Sequence, residues 1–206
     1  MTRLLPLPLF SFALGAVAGL GGSTLLTDSQ SDLWSRLFSV SASRTSASAS
    51  EASIDVGFSP DGTAEALVLQ ALHSARKSIR LAAYSFTSDE VTEGLINAHD
   101  KNQVDVQIVV DQKWNQTQDN SGHARNLLLK LQRHGIRVTS VSAFPLLHSK
   151  YIVVDGVHVQ TGSFNYTRAA ARRNAENAVF IQNSPSIAAR YLADWNRLQS
   201  VGIPWE

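Results

Sequence analysis

An α/β fold, with a mixed and mostly parallel central sheet flanked by helices, is what this sequence predicts. Three observations lead there: short apolar runs alternate with helix-period segments, each helix candidate carries a start or stop signal, and Asp155-Gly156 marks a hairpin late in the chain. The first helix is "TAEALVLQALHSARKS", where Ala64, Leu67, Val68, Ala71, Leu72 and Ala75 recur at helical spacing, with Asp61 or Ser59 as cap. "IRLAAYSF" reads as a buried strand. "SDEVTEGLINAHDK" is a second helix capped by Ser88, with acids in its first turn where the helix dipole favours them. A strand, "VDVQIVVD", then leads into the polar loop "QKWNQTQDNSG". "HARNLLLKLQRH" is a helix stopped by Gly135, followed by the strand "IRVTSV". After the hairpin come a short helix from Thr167 to Arg173, the strand "ENAVFIQ", and a last helix opened by Ser184 and Pro185.

The 206-residue chain suits one globular domain with an appended segment. Residues 4–27 carry no charge, contain Pro6 and Pro8 early, and present Ala16-Val17-Ala18 as a small-residue cleavage site. They are expected to be a secretory signal peptide, or else an uncleaved membrane anchor, since the run is long enough to span a bilayer. Either outcome implies export, to the periplasm or beyond the cell, or a tether at the membrane. Residues 28–53 are expected to be a flexible linker: after a short amphipathic turn around Leu33, Trp34, Leu37 and Phe38, residues 39–53 are almost wholly Ser and Ala. The catalytic domain is then 54–206. It holds 15 basic and 14 acidic residues, so any grip on a polyanion must be local. The absence of Cys excludes disulfides, thiolate metal sites and a Cys nucleophile.

One stretch carries chemistry. In "HSKYIVVDGVHVQTGSFN", residues 148–165, Asp155-Gly156 between two apolar runs is a two-residue hairpin signal. His148 and Lys150 then share a face of the first strand. Gly162-Ser163-Phe164-Asn165 lies where a strand feeds a helix, so that backbone N–H groups and the Ser163 and Asn165 side chains are expected to surround an anion. A neutral imidazole, an ammonium and two neutral donors around one point make a metal-free phosphoryl site, with His148 attacking phosphorus and the donors stabilising the equatorial oxygens.

The pattern His148-x-Lys150-x4-Asp155-x6-Gly162-Ser163-x-Asn165 resembles the HKD signature of the phospholipase D superfamily, and residues 56–195 are similar to its small single-motif bacterial endonucleases. The resemblance implies a phospholipase D-like fold and no cofactor. It implies that His148 is the nucleophile forming a phosphohistidine intermediate, or the partner general acid. Lys150 and Asn165 would hold the non-bridging phosphate oxygens and Ser163 would assist. Asp155 would be mainly a structural hydrogen-bond acceptor, and Glu176 would hydrogen-bond the imidazole and fix its tautomer.

One histidine must attack while a second must be protonated to release the alcohol. His73, His99, His123, His134 and His158 all lack the following Lys, so the implied enzyme is a homodimer with its site at the two-fold interface. Arg168, Arg172 and Arg173 either contact neighbouring phosphates or form a solvated face; Trp114 either stacks on a base or packs its loop. The leading expectation is a nonspecific endonuclease acting on DNA and RNA. A phospholipase D acting on phospholipid headgroups keeps the same chemistry. A catalytically silent nucleic-acid or membrane adaptor is the third reading, disfavoured by the intact His148, Lys150 and Asn165.

Overall fold

The computed structural model describes residues 51–206. The expected leader 1–27 and nearly all of the linker 28–53 lie outside the described residues. Strand β1 (Ser53–Ser59) is followed by α1 (Thr63–Ser74), β2 (Ser78–Ala83), α2 (Asp89–Asn102) and β3 (Asp105–Asp111). A π-helical turn (Trp114–Gln118) precedes α3 (His123–Arg133) and β4 (Arg137–Val141). The hairpin strands β5 (Lys150–Val154) and β6 (His158–Gly162) lead to α4 (Arg168–Arg172), β7 (Glu176–Gln182), α5 (Pro185–Ser200) and the two-residue β8 (Ile203–Pro204).

The eight strands among the described residues form one sheet in the order β1-β7-β6-β5-β2-β3-β4-β8. The α/β class and the mixed sheet are as expected, but parallel pairing is the minority. Only β2–β3 and β3–β4 run parallel, each joined through a helix, whereas the other five pairings are antiparallel. The reason is local: the β5–β6 turn and the return of β7 make a meander that needs no crossover. Strand β1, which is not among the strands expected from the sequence, pairs antiparallel with β7 from Ser53↔Gln182 to Ser59↔Glu176.

The central strands are apolar on both faces because both are covered. Leu72, Leu95 and Leu128 of α1, α2 and α3 pack with Ile79, Leu81 and Ile108 on one side. On the other, Trp195 and Leu198 of α5 pack with Ala82, Val109, Val153 and Val159. Trp195 donates its indole N–H to the Leu81 carbonyl at 3.0 Å, so its one polar atom is satisfied within the core. Truncating it to Ala would cost about 3–5 kcal/mol.

The start and stop signals act much as expected. Ser88 Oγ accepts the Val91 N–H at 3.1 Å, and Gly135 takes φ +83° just beyond α3. At α1 the cap position is Gly62, yet Asp61 Oδ1 accepts the Thr63 N–H at 2.9 Å. Pro185 opens α5, but the Ser184 side chain makes no capping bond.

Two local expectations change. Asp155 and Gly156 both take positive φ, 54° and 70°, but Val154 pairs with His158, so the hairpin connection has three residues. Val157 is the extra one; its carbonyl is drawn off to accept the Ser184 N–H at 2.8 Å, where α5 begins. His148 does not lie on a strand: β5 starts at Lys150, opposite Ala83, where β2 ends. Residues 148 and 149 have no strand partner among the described residues and enter the sheet from a segment outside the ladder.

Candidate active site

The antiparallel register places five chain segments at one end of the sheet. Ala83, the last residue of β2, pairs with Lys150. Tyr151 pairs with Thr161, and Gly162 with Ala178. Hence Tyr84 after β2, Asp111 at the end of β3, His148 before β5, Ser163 after β6 and Glu176 at the start of β7 converge. This is the edge formed by the carboxyl ends of the parallel strands, where ligands of open α/β sheets bind.

Gly162 is required there. A Cβ on it would sit 2.2 Å from the Asn177 carbonyl oxygen. That oxygen accepts the N–H of both Ser163 (3.1 Å) and Phe164 (3.3 Å). These two backbone donors are therefore already committed, and the expected backbone cradle for an anion is not formed by them. The side chains remain. Ser163 is exposed, donating to Glu176 Oε2 at 2.5 Å and accepting the Asn177 N–H at 3.0 Å. Asn165 is half-buried, and its Oδ1 is fully enclosed with no hydrogen-bond partner among the described residues.

His148 is exposed, and its ring lies 4.7 Å from that of Tyr84, tilted by 56°. Lys150 is 8% exposed. Its ammonium donates to the His148 carbonyl at 2.6 Å and sits 5.3 Å from the Tyr84 ring centroid. Burial pushes the Lys150 pKa below the ordinary lysine value, opposed by the negative charge of Glu176.

Glu176 makes no hydrogen bond to His148 among the described residues. Its carboxylate is instead held by Ser163 and by Asn174 Nδ2, at 2.9 Å. Asp155 is not part of the cluster. It lies at the opposite end of β5, where its carboxylate accepts the N–H groups of Arg76 (2.9 Å), Lys77 (2.7 Å) and Ser78 (2.8 Å). There it closes the α1–β2 connection.

The flanks are cationic and aromatic. Arg168, Arg172 and Arg173 line one cavity of about 420 Å³. Arg172 is partly engaged, pairing with Glu65 at 2.8 Å. Arg168 and Arg173 also line a second cavity of about 350 Å³, together with Tyr84, Ser85, Thr87, Trp114 and Asn165. The residues 165–167 are tied to the end of β2, since the Thr87 and Ser88 N–H groups donate to the Tyr166 carbonyl at 2.8 and 2.9 Å.

A family model described as "Cardiolipin synthase, PLD-like domain" matches residues 68–199. "Phospholipase D" of Rickettsia typhi is 33% identical over 146 residues, covering 71% of this chain and 68% of the relative. Nuc from Salmonella typhimurium, a phospholipase D family member of known structure, superposes with a TM-score of 0.72 at 41% identity, over 76% of this chain and 99% of that one. The chain belongs to the phospholipase D superfamily. It is accordingly a hydrolase acting on phosphodiester bonds. NucT from Helicobacter pylori, 18% identical with a TM-score of 0.67 over 75% of this chain and 100% of that one, shares the fold.

Against that superfamily background, three residues stand out that periodicity and motif reading pass over: Tyr84, Asp111 and Asn115. Asp111 is 2% exposed; its two carboxylate oxygens accept the Trp114 N–H (2.7 Å) and the Leu147 N–H (2.8 Å). It thus holds both the aromatic turn and the segment that delivers His148. Asn115, also buried, donates to the Tyr84 and Asp111 carbonyls at 2.8 and 2.7 Å and accepts the Phe86 N–H at 3.1 Å. The available signal was positional: an Asp closing the apolar run "VDVQIVVD" and a Tyr closing "IRLAAY", polar groups at the end of strands otherwise buried.

Proposed function

We propose that the chain is a metal-independent endonuclease that cleaves DNA and RNA through a phosphohistidine intermediate, with two copies of the chain completing one site. A His148 ring nitrogen attacks phosphorus as the P–O bond to the leaving nucleoside breaks. The departing alkoxide takes a proton from a second imidazole. That imidazole then removes a proton from water, which attacks phosphorus, breaks the P–N bond and restores His148. Lys150 and Asn165 would hold the non-bridging oxygens, and Ser163 with Glu176 would order the rim of the site. Two copies are needed because only His148 among the six histidines carries the motif.

The observation that favours a polymer over a lone headgroup is the arginine-lined cavity. A phospholipid presents one diester, whereas Arg168 and Arg173 extend cationic surface from the Asn165 cavity into the next one, suited to neighbouring phosphates. A phospholipase reading has its own support in the 32–33% identity to several Rickettsia proteins named phospholipase D. The uncharged run 4–27 supports export or a membrane tether under either reading.

The test is one preparation of the full chain given plasmid DNA and phosphatidylcholine in parallel, in EDTA. The nuclease reading expects nicked and linear DNA, abolished by His148→Ala, with no choline release. Choline release without DNA cleavage would overturn it in favour of the lipid. For the paired site, a tenfold excess of the His148→Ala chain mixed with wild type should suppress most activity. Undiminished activity in fully exchanged mixtures would show that one copy suffices.

A further inference from the structure

The second cavity, beside the nucleophile, has a composition that a phosphate clamp alone does not require. Two of its walls are aromatic: Tyr84 and Trp114 have ring centroids 6.1 Å apart, tilted by 54°. Ser85, Thr87 and Thr167 supply hydroxyls, and Arg168 and Arg173 supply charge. Asn165 also lines it, with an enclosed amide oxygen that no described residue satisfies.

The walls are also held in advance. The Trp114 N–H is fixed by Asp111, and Asn115 bonds the carbonyls of both Asp111 and Tyr84. Trp114 opens a single π-helical turn, an irregular backbone form concentrated at functional sites. A volume of about 350 Å³ is large enough for one base with its sugar.

Resting on the nuclease reading, we infer that this cavity is the subsite for one nucleobase flanking the scissile phosphate, which must be unpaired and unstacked to enter. The base lies against Trp114 and Tyr84, and the phosphates of its nucleotide and neighbour face Arg168 and Arg173. The enzyme therefore prefers single-stranded nucleic acid, because a base inside a duplex must first be pulled from its stack.

The experiment compares single-stranded and duplex oligonucleotides of one sequence, using the full chain, with an abasic residue placed in turn at each position beside a single cleavable linkage. The expected results are faster cleavage of the single strand, and a loss in kcat/KM of about tenfold for the abasic residue at one flanking position only. In Trp114→Ala that penalty falls below about twofold, because the ring that read the base is gone. Trp114→Phe restores most of it. The backbone N–H that Asp111 accepts is present in both variants, and circular dichroism checks that each is folded. Equal rates on duplex and single strand, or an abasic penalty identical in wild type and Trp114→Ala, would overturn the subsite while leaving the nuclease reading intact. If wild type hydrolyses bis(p-nitrophenyl) phosphate but cuts no oligonucleotide, the nuclease reading itself has failed, and the subsite with it.

Discussion

Replacing Asp155 should cost stability and spare chemistry, although it sits in the middle of the motif. Its carboxylate accepts three backbone N–H groups, from Arg76, Lys77 and Ser78, all at 2.7–2.9 Å in their shorter contacts. Water can replace part of each bond at this half-buried turn, so about 1 kcal/mol per donor is a fair allowance, or about 3 kcal/mol together. Asp155 also holds φ at +54°, which an Ala tolerates at a further cost of about 1 kcal/mol. Asp155→Ala should therefore lose about 4 kcal/mol, and Tm should fall by about 8–16 °C for a domain of this size. Asp155→Asn keeps the left-handed preference and one acceptor, so about half that loss is expected. The distance from the chemistry follows from the strand: five residues at about 3.3 Å put Asp155 about 16 Å from Lys150. The kcat of the folded Asn variant should stay within about threefold of wild type. Thermal melts and initial rates well below Tm on the same samples decide the matter. An Asp155→Asn chain that melts like wild type yet has lost a hundredfold in kcat would refute this reasoning and put the carboxylate into the reaction.

Three further outcomes follow from other contacts. In the proposed mechanism Lys150 holds phosphate as an ammonium, and its folded pKa is depressed, so kcat/KM should fall as pH rises through a value below the ordinary lysine range; Glu176→Gln removes the opposing negative charge and moves that limb to lower pH. The linkage runs the other way for stability: the unfolded chain binds the extra proton between the folded and ordinary values, so the Lys150 contribution improves as pH rises through that window, and Lys150→Met should be inactive yet about 0.5–2 kcal/mol more stable. Gly162→Ala drives a Cβ to 2.2 Å from the Asn177 carbonyl oxygen and should lose at least about 3 kcal/mol in denaturant titrations. Arg168→Ala and Arg173→Ala should each raise KM on DNA and lower the slope of log(kcat/KM) against log[salt] by about one, whereas Arg172→Ala should change it less, since its guanidinium is already paired with Glu65.

Those contacts also mark how far the sequence could be read. Helices α1, α2, α3 and α5 were legible because each has an apolar face at helical period and a terminal signal. The strands β2, β3 and β5 were legible as apolar runs. Strand β1 is passed over, although Ile54, Val56 and Phe58 alternate with Asp55, Gly57 and Ser59, because it follows directly on the Ser/Ala-rich run and is held by pairing with β7. The predominance of antiparallel pairing was hidden for the same reason: strand order is a property of distant registers. At the site, the spacing from His148 to Asn165 pointed to His148, Lys150, Ser163 and Asn165, while Asp155 of the same motif lies at the far end of β5. The spacing could not reveal that the Ser163 and Phe164 N–H groups are both spent on Asn177, or that Glu176 is held by Ser163 and Asn174. Tyr84, Asp111 and Asn115 come from segments far away in the chain, and only the fold brings them to His148.

The electrostatic state of Lys150 explains why those distant residues are needed. An ammonium 8% exposed, with no carboxylate in salt-bridge range among the described residues, is short of compensation. Its neighbours, the His148 carbonyl and the Tyr84 ring, orient it without neutralising it. Glu176 acts on it only as a charge at longer range, because two hydrogen bonds hold that carboxylate to Ser163 and Asn174. If Glu176 were free to close on Lys150, the pair would have to be broken before a phosphate could bind. Held apart, the ammonium is left open to an anionic group, in surroundings of lower dielectric than water where such an attraction is stronger. Asp111 and Asn115 act from the other side, fixing Tyr84 and the Leu147 N–H so that His148 stays beside Lys150. Under the proposed mechanism the groups around Lys150 would be set before substrate arrives, and folding would already have done reorganisation that otherwise opposes phosphoryl transfer.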